Sequence, residues 1–158
     1  MQKQNKRAAS DNADAPNEEL LGDPFMNQVM AVIEQNYMNS NFNVEDLAKE
    51  LLELDDKLCK LAQLKAEDMV ANDYFSHESP NLGNPFEMMK NNNIEYMTAG
   101  ENIAGYKDVE GSVNAWMNSK AHKDNILSNG YNYTGIGVAK SEKYGYVFVQ
   151  LFMGKYEN

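Results

Sequence analysis

Residues 133–154 read YTGIGVAKSEKYGYVFVQLFMG. The segments YTGIGVAK and YGYVFVQLFMG alternate or run apolar, as strands do, and SEKYG between them can turn the chain. Two strong strands therefore close the sequence. The Gly-Ile-Gly at 135–137 lacks the third glycine of a dinucleotide fingerprint and runs on into a strand, so it is expected to be a close-packed turn, and no nucleotide cofactor is expected.

Working outward, the preceding chain is helical in pattern. VEGSVNAWMNS places Val109, Val113, Trp116 and Met117 on one side, and KAHKDNIL begins a further helix at about Ser119. NPFEMMKNN has a cap at Asn84, proline at the first helical position and Glu87 three residues after the cap, which marks a helix start. NDYFSHESPNLG before it reads as loop. DKLCKLAQLKAEDMVAN, starting at Asp55 or Asp56, carries Leu58, Leu61, Ala62, Met69 and Val70 at helical spacing. Asn43 caps VEDLAKELL with its stripe of Leu47, Leu51 and Leu52, and Asp23-Pro24 opens a helix over about 24–38 bearing Phe25, Val29, Ile33 and Tyr37. Residues 1–22 have almost nothing to bury and are expected to be a disordered leader. Helices first and strands last predict an α+β domain.

Length and composition bound the function. A chain of 158 residues suits one domain with an appendage. Its 24 acidic and 14 basic side chains give a formal charge of -10, which repels nucleic acid and anionic membranes, and no basic patch offsets it. Cys59 is the single cysteine, so no internal disulfide forms. No apolar run approaches the roughly 20 residues of a membrane span, and the first residues lack the apolar region of a signal peptide.

Two histidines, His77 and His122, lie 45 residues apart with Glu101 of GENIAGY between them. HESPN is not His-Glu-x-x-His, because Asn81 stands at the second histidine's place, and one cysteine cannot build a structural zinc site. Ser76 beside His77 is no dyad, since neighbours in sequence point apart. Spacing alone leaves the histidines as loop or capping residues and Glu101 as a carboxylate at a helix end, favoured by the dipole.

The stretches LELDDKLCKLAQLKAEDM, YFSHESP, GENIAGY, WMNSKAHKDNIL, YNYTGIGVA and YVFVQLFMG, taken in this order, resemble the bacterial branch of the CAP superfamily (cysteine-rich secretory proteins, antigen 5, pathogenesis-related 1) over about residues 52–154. The resemblance implies an α-β-α sandwich with a central antiparallel sheet and a shallow cleft holding two histidines and acidic residues. His77 matches the first cleft histidine, Glu101 the acid of the Gly-Glu-Asn motif and His122 the second histidine. On this reading Glu101 orients one imidazole, holds its tautomer or helps to position a metal-bound water. Many members carry a second acid soon after the tryptophan. Here WMNSK has Ser119 instead, and Glu110, nearly two turns earlier, is a poor substitute. Three cleft residues are left.

The N-terminal part departs from that pattern. DPFMNQVMAVIEQNYMNSNFNVEDLAKEL is similar to the lead-in and first helix of an AraC-type helix-turn-helix domain of hybrid two-component regulators, over about residues 17–51, and the similarity stops before any recognition helix. Residues 17–54 carry eight acids and one base, Lys49, so DNA binding by this fragment is not expected. The expected organisation is a leader (1–22), an added helical segment (23–51) and a CAP domain (52–158), a fusion of natural or engineered origin. The implied function is a monomeric, extracellular or cell-envelope binding module for a small-molecule, lipid, glycan or peptide ligand, with zinc or another divalent metal on His77 and His122. The alternative is a hydrolase using the same cleft for metal-assisted or general-base attack.

Overall fold

The computed structural model describes residues 52–156, together with the single helical position Ala31. Apart from Ala31 and Leu52, the leader and the two helices expected over about 24–38 and 44–52 lie outside the described residues.

Local signals and observed elements agree through most of the described chain. Strand β1 (Glu53–Leu54) leads into helix α1 (Asp56–Ala71), whose N-cap carboxylate, on Asp55, accepts from the Leu58 amide at 2.9 Å. Helix α2 (Pro85–Asn91) starts with the expected capping box, in which the Asn84 side chain accepts from the Glu87 amide and the Glu87 carboxylate accepts from the Asn84 amide, both at 3.0 Å. Strand β2 (Thr98–Tyr106) follows, then helix α3 (Val109–Asn118), capped by Asp108, and helix α4 (Lys120–Ile126) after Ser119. Strands β3 (Tyr133–Ser141) and β4 (Gly145–Gly154) form the C-terminal hairpin, closed at Gly145 with φ +92.

The sheet order is β1-β3-β4-β2. Its pairings are antiparallel except that β1, two residues long, runs parallel to β3. Helices cover both faces, giving an α-β-α sandwich. On one face Leu58, Leu61, Ala62, Ala66 and Met69 of α1 and Met88 and Met89 of α2 pack against Ile103, Val147, Val149, Leu151 and Met153. On the other, Val109, Val113 and Trp116 of α3 and Ile126 of α4 pack against Ala104, Ile136, Phe148 and Phe152. Because β4 is central and covered on both sides, its residues run apolar instead of alternating.

Two expectations need correction. Gly135 and Gly137 are strand residues, not a turn. Only the close packing holds: an added Cβ would lie 2.2 Å from the Leu58 carbonyl carbon at Gly135 and 2.2 Å from that of Ala62 at Gly137. Helix α1 thus lies directly on the β3 backbone. Likewise Glu101 occupies neither a turn nor a helix end but the middle of β2, opposite Leu151 of β4. TAGENIAGY is poor in strand formers, and nine paired positions along β4 override its local preference.

Strand β2 is an edge strand, and edges left bare invite pairing with other chains. Here three alternate carbonyls are taken by side-chain donors: Ala99 by the Tyr131 hydroxyl (3.2 Å), Glu101 by Asn125 Nδ2 (3.3 Å) and Ile103 by Trp116 Nε1 (3.0 Å). The layer of α3, α4 and the segment after them therefore covers the edge that carries Glu101.

Candidate functional site

Strand alternation sends consecutive residues of β2 to opposite faces. Glu101, aligned with Leu151, points to the α1 side, and Asn102, aligned with Gln150, to the α3/α4 side. The Glu101 side chain is 2% exposed, while that of His77, in the loop after α1, is 56% exposed above it. The two meet at 2.7 Å, His77 Nδ1 to Glu101 Oε1. This bond raises the His77 pKa above the usual imidazole value, against a smaller opposing push from burial. With the imidazole neutral, a proton on Nδ1 donated to the carboxylate leaves Nε2 as the free lone pair, a carboxylate–histidine arrangement that suits a ligand-binding imidazole.

His122 approaches from α4, on the other layer. Its backbone carbonyl accepts from Asn102 Nδ2 at 3.1 Å, and Asn125 Nδ2 donates to Asn102 Oδ1 at 2.9 Å, which locks the helix start to β2. Burial lowers the His122 pKa, and the charge on His77 lowers it further, so the two imidazoles sense each other around the β2 edge. His122 Nδ1 and Glu101 Oε2 are both buried without a hydrogen-bond partner. Of the sequence-predicted residues, then, His77 and Glu101 are in direct contact, and His122 joins the same strand through the bond of its carbonyl to Asn102. Glu110 lies exposed in the first turn of α3, as its position in sequence led one to expect of a poor substitute acid. Among the described residues no group of three or more His, Cys, Asp or Glu side chains is arranged to hold a metal ion. Of the candidate donors His77 and Glu101 touch, and with His122 they would make at most an open, weakly binding site.

Sequence reasoning missed two residues beneath the loop. Lys65, on the buried stripe of α1, is 0% exposed and donates through Nζ to the His77 carbonyl at 3.0 Å. Asp68, one turn later, accepts from Tyr74, from Ser79 Oγ at 2.7 Å and from Asn81 Nδ2 at 2.9 Å. A lysine at helical spacing within Leu58, Leu61, Ala62, Ala66 and Met69 was the available signal, since a charge on an apolar face needs a partner.

The sequence signature of the Cysteine-rich secretory protein family, CAP, matches residues 45–152. The chain belongs to the CAP family. Uncharacterized protein YkwD of Bacillus subtilis is 47% identical over 105 residues, a match covering 66% of this chain and 40% of that relative. Among solved structures, an extracellular protein containing an SCP domain from Bacillus anthracis superposes with a TM-score of 0.65 at 28% identity, over 80% of this chain and 41% of that one. An outer surface protein of Borrelia burgdorferi, 21% identical, gives 0.68 over 90% of this chain and 97% of its own, which is a likeness of fold. The chain thus spans about two fifths of the curated relative. Among the described residues no helix of this CAP protein is long and apolar enough to cross a membrane.

Proposed function

We propose that this CAP domain is a monomeric extracellular or cell-envelope binding module, whose cleft at His77, Glu101 and His122 takes a small-molecule, lipid, glycan or peptide ligand. The observation that carries the reading is the exposed His77 imidazole, oriented by a buried carboxylate. Such a site offers a directed lone pair to a ligand. The extracellular origin of the Bacillus anthracis neighbour supports the location.

Zinc or a similar divalent ion is the simplest probe of the pair. His77, with Glu101 behind it, and His122 would hold the ion weakly, and a bound ion would supply a Lewis acid for a ligand's oxygen. Zinc calorimetry on wild type and His122→Ala tests this. Heat should be seen near neutral pH, be lost in the variant, and weaken on acidification. Protonation of His77 begins above the ordinary value near pH 6.5, so His77 is the first ligand to be lost. Unchanged heat in His122→Ala rejects the pair as the site.

A hydrolase is the second reading, favoured by one observation. The environments push the two imidazoles in opposite directions, His77 up and His122 down, which is how a proton donor and a proton acceptor are prepared at one pH. In that role His122 takes a proton from water while protonated His77, held by Glu101, faces the developing negative charge. Turnover of ester, amide or glycoside substrates that disappears in Glu101→Ala would put this reading first.

A further inference from the structure

A fully buried lysine is expensive, and the stripe around Lys65 would accept an apolar residue without that cost. What the ammonium holds is therefore informative. It donates to the His77 carbonyl at 3.0 Å and sits 5.4 Å above the Tyr74 ring, with Glu101, Asp68 and Glu78 close enough to favour its charge against the burial that opposes it. His77 is consequently gripped at two points, its carbonyl by Lys65 and its ring by Glu101.

Asp68 ties down the chain on both sides of that histidine. Tyr74, three residues before His77, and Ser79 and Asn81, two and four after it, all donate to the Asp68 carboxylate. These bonds hold the carboxyl below its usual range although burial works against them, and the Tyr74 phenol, buried and beside the carboxylate, is pushed up to about 12. Ser79 Oγ in turn accepts from the Asn81 and Leu82 amides at 3.1 and 2.9 Å, and Ser79 and Gly83 exchange backbone bonds at 3.0 Å. The loop that carries His77 has little backbone freedom left.

We propose that Lys65 and Asp68, three residues apart on one face of α1, are the positioning residues of the cleft, holding the 74–83 loop so that His77 Nδ1 meets Glu101. Neither touches a ligand; they act through His77. The inference deepens the binding reading and rests on His77 and Glu101 being its site. It implies that the geometry of the cleft is set from underneath, by the helix packed against the sheet, and that the rim is prepared before any ligand arrives.

The test uses the full chain, labelled with 15N-histidine and free of metal, at about pH 8.5, where imidazoles are largely neutral. Imidazole nitrogen shifts report the tautomer, and amide exchange of β4 reports the core. In wild type His77 should be a single Nδ1–H tautomer. Lys65→Met, similar in length and uncharged, should shift it toward the Nε2–H form preferred by free histidine. Asp68→Asn should speed exchange across 74–83 by about 10-fold or more with β4 protection unchanged. Zinc affinity should fall by about 10-fold in both variants, the scale seen when a ligand loses its support. A His77 tautomer unchanged in Lys65→Met, with β4 still protected, overturns the proposal. Should Lys65→Met lose β4 protection, the surface variant Asn81→Ala decides by the same tautomer and loop-exchange readouts, and wild-type values there overturn it. Absence of zinc binding in wild type would sink the metal part of the binding reading and leave the tautomer arm intact.

Discussion

The α1 face and the α3/α4 face of the sheet are built on the same strands yet bury different polar groups. Toward α1 the buried polar groups include charges: Lys65 and Glu101, with Asp68 half-buried at the helix end and the buried Ser79 hydroxyl bonded to it. Toward α3 and α4 they are neutral: Asn102, Gln150, Thr134 and the half-buried Asn125. Adjacent residues of β2, Glu101 and Asn102, supply one member to each set. The difference follows solvent access. The charged set lies under a loop whose histidine is open to water, and each buried charge is partnered there, Lys65 by the His77 carbonyl and Glu101 by the His77 ring. The neutral set is sealed by Trp116, Phe148 and Phe152, and amides and hydroxyls bond there without the desolvation cost of an ion. Both faces carry a buried core, and the α1 face adds to its core the contact between Glu101 and the exposed His77.

The largest expected effect is on the sealed face. Trp116 is 2% exposed and donates to the edge carbonyl of Ile103. Trp116→Ala should cost about 3–5 kcal/mol, a large part of a small domain's stability, read from denaturant midpoints. A melting point within a degree or two of wild type would mean that Trp116 does not seal this face.

On the open face Gly137→Ala should come next. The added methyl meets the α1 backbone at Ala62, which cannot move without lifting the helix, at a cost of about 1–3 kcal/mol or more. If the methyl is accepted freely, the rigid contact between α1 and β3 is wrong, and with it the platform under His77.

Smaller in energy but specific to the open face is Glu101→Gln. It keeps the shape and removes the charge that supports His77. The imidazole pKa, followed by NMR, should fall from its raised value, and zinc affinity should drop by about 10-fold with the fold retained. Asn102→Ala, which changes the neutral face at the next residue, should leave the His77 pKa alone. A shift of equal size in both variants would erase the distinction between the faces.

The weakest effect concerns pH. His77 binds its proton more tightly in the folded chain than in the unfolded one because Glu101 accepts from it. That contribution is complete below about pH 6.5 and fades as pH rises through the raised folded value. The stability lost in His77→Gln should therefore be greater at about pH 5.5 than at about pH 9. His122 has the opposite sign: its lowered pKa penalises the fold on acidification, so His122→Gln should be relatively better tolerated at the lower pH.

The helical half and the hairpin were legible because their signals are local. Asp55 and Asn84 cap where their side chains can reach amides three residues on, and the apolar stripes of α1 and α3 repeat at the helical period. Strand β2 was not legible, since Gly, Ala, Glu and Asn carry no strand signal and only the register with β4 makes them one. Lys65 was read past because a stripe of apolar neighbours describes a face and not what a single charge within it can reach. His77, Glu101 and His122 came from the order of six motifs resembling a known family, and their residue spacing alone left them as loop, cap or helix-end groups.

By itself the sequence determined the α+β class, the helix starts, the C-terminal hairpin and an acidic surface that repels polyanions, because each depends on contacts within a few residues or on summed charge. Tertiary structure alone decided that Glu101 lies in an edge strand facing α1 and meets His77, that Gly135 and Gly137 admit a helix backbone, and that Lys65 and Asp68 reach the loop above them. Those outcomes depend on residues as far apart as 11 positions (Asp68 and Ser79), 24 (His77 and Glu101) and 75 (Gln63 and Val138) being brought together by strand pairing and layer packing, and no local preference encodes that.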